Sequence, residues 1–176
     1  MEKKLINPKF LVITGMIFAG ALLRLLPHYP NFTPIAAMAL FGGAYFTNKK
    51  LSFIVPFAAM ILSDLILGFH STMWAVYLSF ALIVVIGFSL RERRKPSNIF
   101  LASVSSSVLF FVITNFAVWL SGGIYPMTVT GLGECFTAAI PFFSHTAIGD
   151  LFYAGVFFGV FEFARAKFPV LAQANA

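Results

Sequence analysis

The chain has 176 residues, 60% of them hydrophobic and 10% charged, with a formal net charge of +6 and a mean hydropathy of +0.91. A soluble domain of this length has no core large enough for so much apolar side chain, so the composition excludes a soluble globular protein and points to an integral membrane protein. The basic residues fall in short clusters between apolar stretches, which argues against a nucleic-acid surface, and the single cysteine, Cys135, excludes an internal disulfide and a cysteine-pair metal site.

Residues 1–9 carry Lys3, Lys4 and Lys9, and an apolar span is expected over 10–26, closed by Pro27. Ala19-Gly20-Ala21 offers the competing reading of a cleaved secretory signal. Retained, this is span one, with Arg24 near its far end, where arginine can snorkel to the interface as a simple anchor. Residues 28–32 form a short turn. Thr33-Pro34 then predicts an N-cap with proline at the first helical position of span two, 33–46. Within it Ala36, Ala39 and Gly43 share one face, a surface that lets another backbone approach closely.

Span three is expected over 51–69, bent at Pro56, with Ser63-Asp64 near its far end. Asp64 demands a reason, because an acidic side chain at the centre of a membrane helix costs roughly 2.5–3.5 kcal/mol. At about 1.5 Å per residue from Lys50, its Cα lies about 20 Å into a hydrocarbon layer about 30 Å thick. After an uncharged turn at His70-Ser71-Thr72, span four runs over 73–90 and ends in Arg91-Glu92-Arg93-Arg94-Lys95.

Pro96-Ser97-Asn98 restarts the chain into span five, 99–121, which begins with Ser103, Ser105, Ser106 and Ser107 and later carries Thr114-Asn115 and Trp119. Residues 122–133 read as a loop by their glycines and Tyr125-Pro126. One helix over 134–163 would be about 45 Å long, too much for a single crossing. Pro141 and Ser144-His145 are therefore expected to divide it into an interfacial or re-entrant segment, 134–143, and span six, 145–163. The organisation is a single six-helix transmembrane domain over 1–168 and a tail over 169–176.

In a six-span arrangement eleven lysines and arginines fall on one side and only Arg24 toward the other. That imbalance predicts cytoplasmic termini, with Tyr29, Trp74, Tyr77, Trp119 and Tyr125 as an outer aromatic belt. Arg24, Asp64, His70, Asn115, Trp119, His145 and Asp150 then converge on the outer leaflet. The inner half offers serines and small residues, without the chain of polar groups a proton relay needs. The expectation is a pocket open to the outside and closed toward the cytoplasm.

The candidate ligand-binding residues are Arg24, Asn31, Asp64, Asn115, Trp119, His145 and Asp150. Each has a plainer alternative. Arg24 and Asp64 can neutralise one another in a structural bridge between spans one and three. Asn115 and Trp119, four residues apart with Phe111 extending their face, suit a flat polar ligand but equally a core hydrogen bond and a belt anchor. His145 and Asp150 are about 140° apart on an ideal helix and poorly placed to grip one ion together. His70 in its turn and Glu134 in an outer loop both read as solvated, Glu134 alternatively lining the mouth.

No catalytic set emerges: the neighbours Ser144 and His145 point about 100° apart, and no H-E-x-x-H, glycine-rich phosphate loop or G-x-S-x-G is present. A rival reading is a metal-binding protein or membrane enzyme using His28, His70 and His145 at the outer rim, although none has a recognised ligand spacing. A third is a helical assembly factor docking through Gly155 and Gly159.

With six spans, both ends inside, a short second helix opening on Asn31-Phe32-Thr33-Pro34-Ile35-Ala36-Ala37 and a third ending Ser63-Asp64-Leu65-Ile66-Leu67-Gly68, the chain resembles the substrate-binding S components of energy-coupling factor (ECF) transporters. It is similar over nearly its full length to a family of small bacterial membrane proteins known only as a domain of unknown function. Those proteins share the 31–46 stretch, Ser63-Asp64, Thr114-Asn115 and the Tyr125-Pro126 loop. The S-component resemblance implies high-affinity capture of a vitamin or metal ion from outside, with Tyr29-Pro30-Asn31-Phe32 as a lid. It also implies a small-residue face on span one that docks on a membrane coupling subunit driven by two cytoplasmic ATPases. Gly15 and Ala19 stand at that spacing, with Ala36, Ala39 and Gly43 beside them, and intramolecular packing is the competing reading. No residue set specific to riboflavin, thiamine, biotin or cobalamin carries over. The expected protein is thus an all-α importer subunit of the bacterial inner membrane that binds a vitamin-like molecule or metal ion, needs no cofactor and relies on a partner for energy.

Overall fold

The computed structural model describes residues 7–172; Lys3, Lys4 and the last four residues of the expected tail lie outside them. Apolar stretches separated by Gly, Pro and Asn turns fold into an all-α arrangement: α1 (Pro8–Leu23), α2 (Ile35–Tyr45), α3 (Lys49–Leu67), α4 (Met73–Phe88), α5 (Pro96–Ser121) and α6 (Val129–Lys167), followed by a 3-10 turn at Pro169–Ala172. By length and composition α3, α5 and α6 can each cross a membrane, while α1, α2 and α4 are shorter apolar helices.

Local chemistry sets several boundaries. Asn7 accepts from the Phe10 amide at 2.8 Å and Pro8 starts α1, so cap and proline act together there. Asn48 caps α3 and Thr128 caps α6 in the same way. Gly68 closes α3 with φ 93°, a left-handed conformation that glycine adopts without strain.

Three expectations change. Thr33 does not cap α2: Pro34, at φ −79° and ψ 8°, takes the cap position, and its carbonyl accepts from Met38 N at 2.9 Å. Gly131 and Gly133 belong to α6 and not to the preceding loop. A Cβ at Gly131 would lie 2.1 Å from the Pro126 carbonyl oxygen, so this glycine serves the close approach of the loop. Finally, 134–143 and 145–163 are one helix. α6 runs unbroken for 39 residues, about 58 Å. Pro141 removes one backbone donor, but the flanking hydroxyls of Thr137, Ser144 and Thr146 bond carbonyls of their own helix, so the polar residues expected to break it are satisfied within it.

The core is built around α2, which packs against all five other helices. All but one of its residues are buried, the pattern of a helix apolar on every side. Phe41 meets Tyr45, Phe157, Phe158 and Phe161 with ring centroids 4.8–5.5 Å apart. Gly43 and Gly87 bring the backbones of α2 and α4 into contact: a Cβ on Gly43 would fall 2.3 Å from Val84 O. The Ala36, Ala39 and Gly43 face, offered above as a docking surface, is therefore buried within the chain itself. Gly15 and Ala19 on α1 are exposed, with nothing within 4 Å of a Cβ on Gly15.

The exterior is greasy. Leu22, Ile66, Leu101 and Phe163 are each more than 60% exposed, while Asp64, Asp150, Ser106 and Ser107 are buried. Apolar surface on this scale, around a core that holds carboxylates, is what lipid covers.

Candidate functional site

Asp64 finds its reason at the ends of three helices. Arg24, the C-cap of α1, donates to Asp64 Oδ1 at 2.7 Å and to the Ser63 hydroxyl, and Tyr77 of α4 donates to Asp64 Oδ2 at 2.7 Å. Arg24 also lies 3.2 Å from the Met60 sulfur. Both carboxylate oxygens are engaged and both charges are buried. Mutual neutralisation with extra hydrogen bonds is the condition under which such a pair is tolerated in an apolar interior. The result is a clasp joining α1, α3 and α4.

Beside the clasp, at the same end of the bundle, lies a cavity of about 300 Å³ between α4, α5 and α6. Asn31, His70, Thr72, Thr114, Asn115 and Thr146 supply its polar lining and Phe110, Phe111, Phe142 and Phe143 its aromatic walls. A deeper recess of about 110 Å³ shares Asn31, Phe110 and Thr146 with it and ends on Asp150, which accepts from the Ser107 hydroxyl at 2.6 Å. Among the described residues, no lysine, arginine or histidine makes an ion pair with Asp150.

The 28–34 turn lies over this end. Asn31 adopts φ 63°, a left-handed conformation unusual for a residue with a side chain but tolerated by asparagine. Phe32 packs on Phe152 and Tyr153, and its Cα would be only 3.2 Å from a Cβ on Gly149, so the glycine lets the turn rest directly on α6. Tyr29 stacks on His145 with centroids 6.1 Å apart.

Of the seven candidate ligand residues, Asn31, Asn115 and Asp150 line one continuous space. Arg24 and Asp64 are consumed by their clasp and border neither cavity. Trp119 donates its indole N–H to Pro126 O at 3.0 Å, pinning the loop between α5 and α6, and His145 holds the turn through Tyr29. Thr146 lines the same space and Ser107 holds Asp150 at its end, yet neither is a site residue by sequence. A threonine among apolar neighbours carries no signal until its helix face is known, and Ser107 was one of four serines with equal claim.

The opposite end is tied together by residues the sequence left in the background. Arg91 donates to Gly43 O, Phe46 O and Ser52 Oγ at 2.9–3.2 Å, and Arg94 donates to Ala44 O at 3.1 Å, so the 91–95 cluster covers the carbonyl end of α2 as a cation at a helix C-terminus should. Partial burial pushes the Arg91 guanidinium below its ordinary value, and these acceptors offset that cost. Tyr45 donates to Glu162, whose two carboxylate oxygens also accept from Arg165 Nη1 at 2.7–2.8 Å. Arg94 lies over the Tyr45 ring, 4.8 Å from its centroid. This end of the bundle is thus more than serines and small residues. Glu162→Ala leaves the buried Tyr45 hydroxyl without an acceptor and should lower stability by about 1–3 kcal/mol, read as a drop in melting temperature in mild detergent that Tyr45→Phe on the same background does not deepen.

The three histidines expected at the outer rim go separate ways. His28 Nδ1 lies 2.7 Å from Leu26 O, His70 Nδ1 3.1 Å from Thr72 Oγ1, and His145 faces Tyr29. Among the described residues no group of three or more His, Cys, Asp or Glu is placed to hold a metal ion. Ser144 donates to its own helix at Pro141 O, which directs it away from His145 as a nucleophile and base.

Residues 4–171 match the family described as a family of unknown function, DUF6580, and the chain belongs to that family. No curated protein and no solved structure matches it.

Proposed function

We propose that this DUF6580 member is the ligand-capturing membrane subunit of an importer, built like an ECF S component. In this reading six spans cross the bacterial inner membrane with both termini in the cytoplasm. A small molecule enters the Asn31–Asn115–Asp150 cavity from outside, under the 28–34 turn. The observation that carries the reading is the aromatic and polar cavity under the 28–34 turn, which leads to Asp150 and stops against the buried phenylalanines Phe41, Phe157, Phe158 and Phe161 that lie between it and Tyr45. A pore needs hydrophilic groups continuously from one end to the other; a capture site can end on an apolar core.

The lining narrows the ligand class. Amide and hydroxyl groups around phenylalanine rings suit a small, flat, partly polar molecule, and the volume sits at the lower bound of ordinary small-molecule sites. Asp150 at the bottom favours a ligand that donates a hydrogen bond or carries a positive charge. Energy would come from a partner, docked on the open Gly15 and Ala19 face of α1.

Gently extracted wild-type protein is expected to carry one small organic molecule through native mass spectrometry. Asn115→Leu combined with Thr146→Val removes two hydrogen-bonding groups from the lining and should reduce that occupancy about tenfold or more, while Glu162→Gln at the opposite end leaves it unchanged. Wild-type protein that carries nothing, or equal occupancy in all three, would overturn the assignment.

A further inference from the structure

At the basic end, the α4–α5 turn and the last turns of α6 frame a polar vestibule of about 820 Å³, bordered by Arg93, Lys95, Ser97 and Arg165. Arg94, Pro96 and Glu162 border it and also an apolar groove of about 470 Å³ between α5 and α6, so the two spaces are continuous. We infer that together they form a binding site for one anionic phospholipid of the leaflet on the basic side, headgroup in the vestibule and one acyl chain along the groove.

Charge comes first. Four basic side chains against Glu92 and Glu162 border the vestibule. Glu162 is already engaged by Arg165 at 2.7 Å and by Arg94 at 3.9 Å. Arg93, Lys95 and Glu92 make no ion pair among the described residues, and four basic against two acidic side chains leaves an excess of two positive charges for a phosphodiester. Asn98 Nδ2 holds the turn that carries them by donating to Arg93 O at 2.8 Å. Basic pockets between membrane helices on the cytoplasmic side are where acidic lipid headgroups bind.

Shape follows. The groove exists because Gly155 and Gly159 present no side chain toward Ile99, Phe100 and Phe158, and nothing lies within 4 Å of a Cβ on either glycine. From Glu162 to Leu151 the groove extends along α6 for about 16 Å, and the acyl layer of one leaflet is about 15 Å deep. A chain anchored by its phosphate at the rim would fill the groove to its end.

The test uses full-length protein reconstituted in nanodiscs of equal parts phosphatidylglycerol and phosphatidylcholine, then released and weighed intact by native mass spectrometry. Wild type should retain one phosphatidylglycerol per chain in preference to phosphatidylcholine. Arg93→Gln with Lys95→Gln should reduce that retention about thirtyfold. Gly159→Leu, which has room to fold, should abolish retention of either lipid. Equal retention of the two lipids, or retention unchanged in either variant, overturns the inference. So does a dimer in place of the lipid that Gly159→Leu dissociates, since the groove would then belong to a second copy of the chain packed through its glycines.

Discussion

Arg24→Ala is expected to destabilise the protein by about 3–5 kcal/mol, the cost of leaving a buried carboxylate without its counter-charge. Asp64→Leu should cost a comparable amount for the reciprocal reason, as Arg24 would keep only Ser63 and Met60. The informative variant carries both changes. With Arg24→Met and Asp64→Leu together no charge is stranded, and stability should return to within about 1–2 kcal/mol of wild type, because replacing a whole buried pair by apolar side chains is often close to neutral. Tyr77→Phe alone should cost about 1 kcal/mol, since Arg24 still satisfies the carboxylate. Denaturant unfolding in mild detergent measures all four. Single variants as stable as wild type would show that solvent or lipid headgroups reach the pair. The same double variant also separates stability from binding: if it folds and keeps its co-purifying molecule, the pair is architecture alone, and if it folds but loses the molecule, the pair belongs to the site as the sequence first suggested.

The legibility of this chain follows the cost of each feature. An acidic residue in an apolar stretch is conspicuous, so Asp64 and its pairing with Arg24 could be named from sequence, and so could Asp150. The helices were visible as apolar runs, but their caps were not: Asn7 and Asn48 start α1 and α3 a few residues ahead of the expected spans, and Pro34 takes the place expected of Thr33. The inexpensive interactions stayed hidden. Thr146 and Ser107 become site residues only when α5 and α6 pack in a particular rotation. Glu162, three residues before Arg165, looks like a solvated pair at a helix end until α2 brings Tyr45 to it. The continuity of α6 is hidden because its length exceeds one membrane crossing and Pro141 with Ser144-His145 marks a place to break it, whereas serine and threonine in an apolar setting bond their own carbonyls and leave the helix intact.

The two small-residue faces make the sharpest contrast for mechanism. Gly43→Ala should remove most folded protein from the membrane, because its methyl carbon would sit 2.3 Å from the Val84 carbonyl and 2.9 Å from the Gly87 Cα, both backbone atoms that cannot rotate away. Relief requires α2 and α4 to separate along a contact at the centre of the core, so the loss should reach or exceed the roughly 1–3 kcal/mol of ordinary overpacking. Gly15→Leu has open space around it and should leave abundance and melting temperature unchanged. If α1 docks an energising subunit, however, a leucine at that point holds the two helices apart, and both cross-linking to the partner and cellular uptake should fall at least tenfold in a protein that still carries its small molecule. Uptake and cross-linking preserved in Gly15→Leu would mean that the exposed face of α1 meets only lipid, and an importer reading would then have to find its coupling surface on another helix.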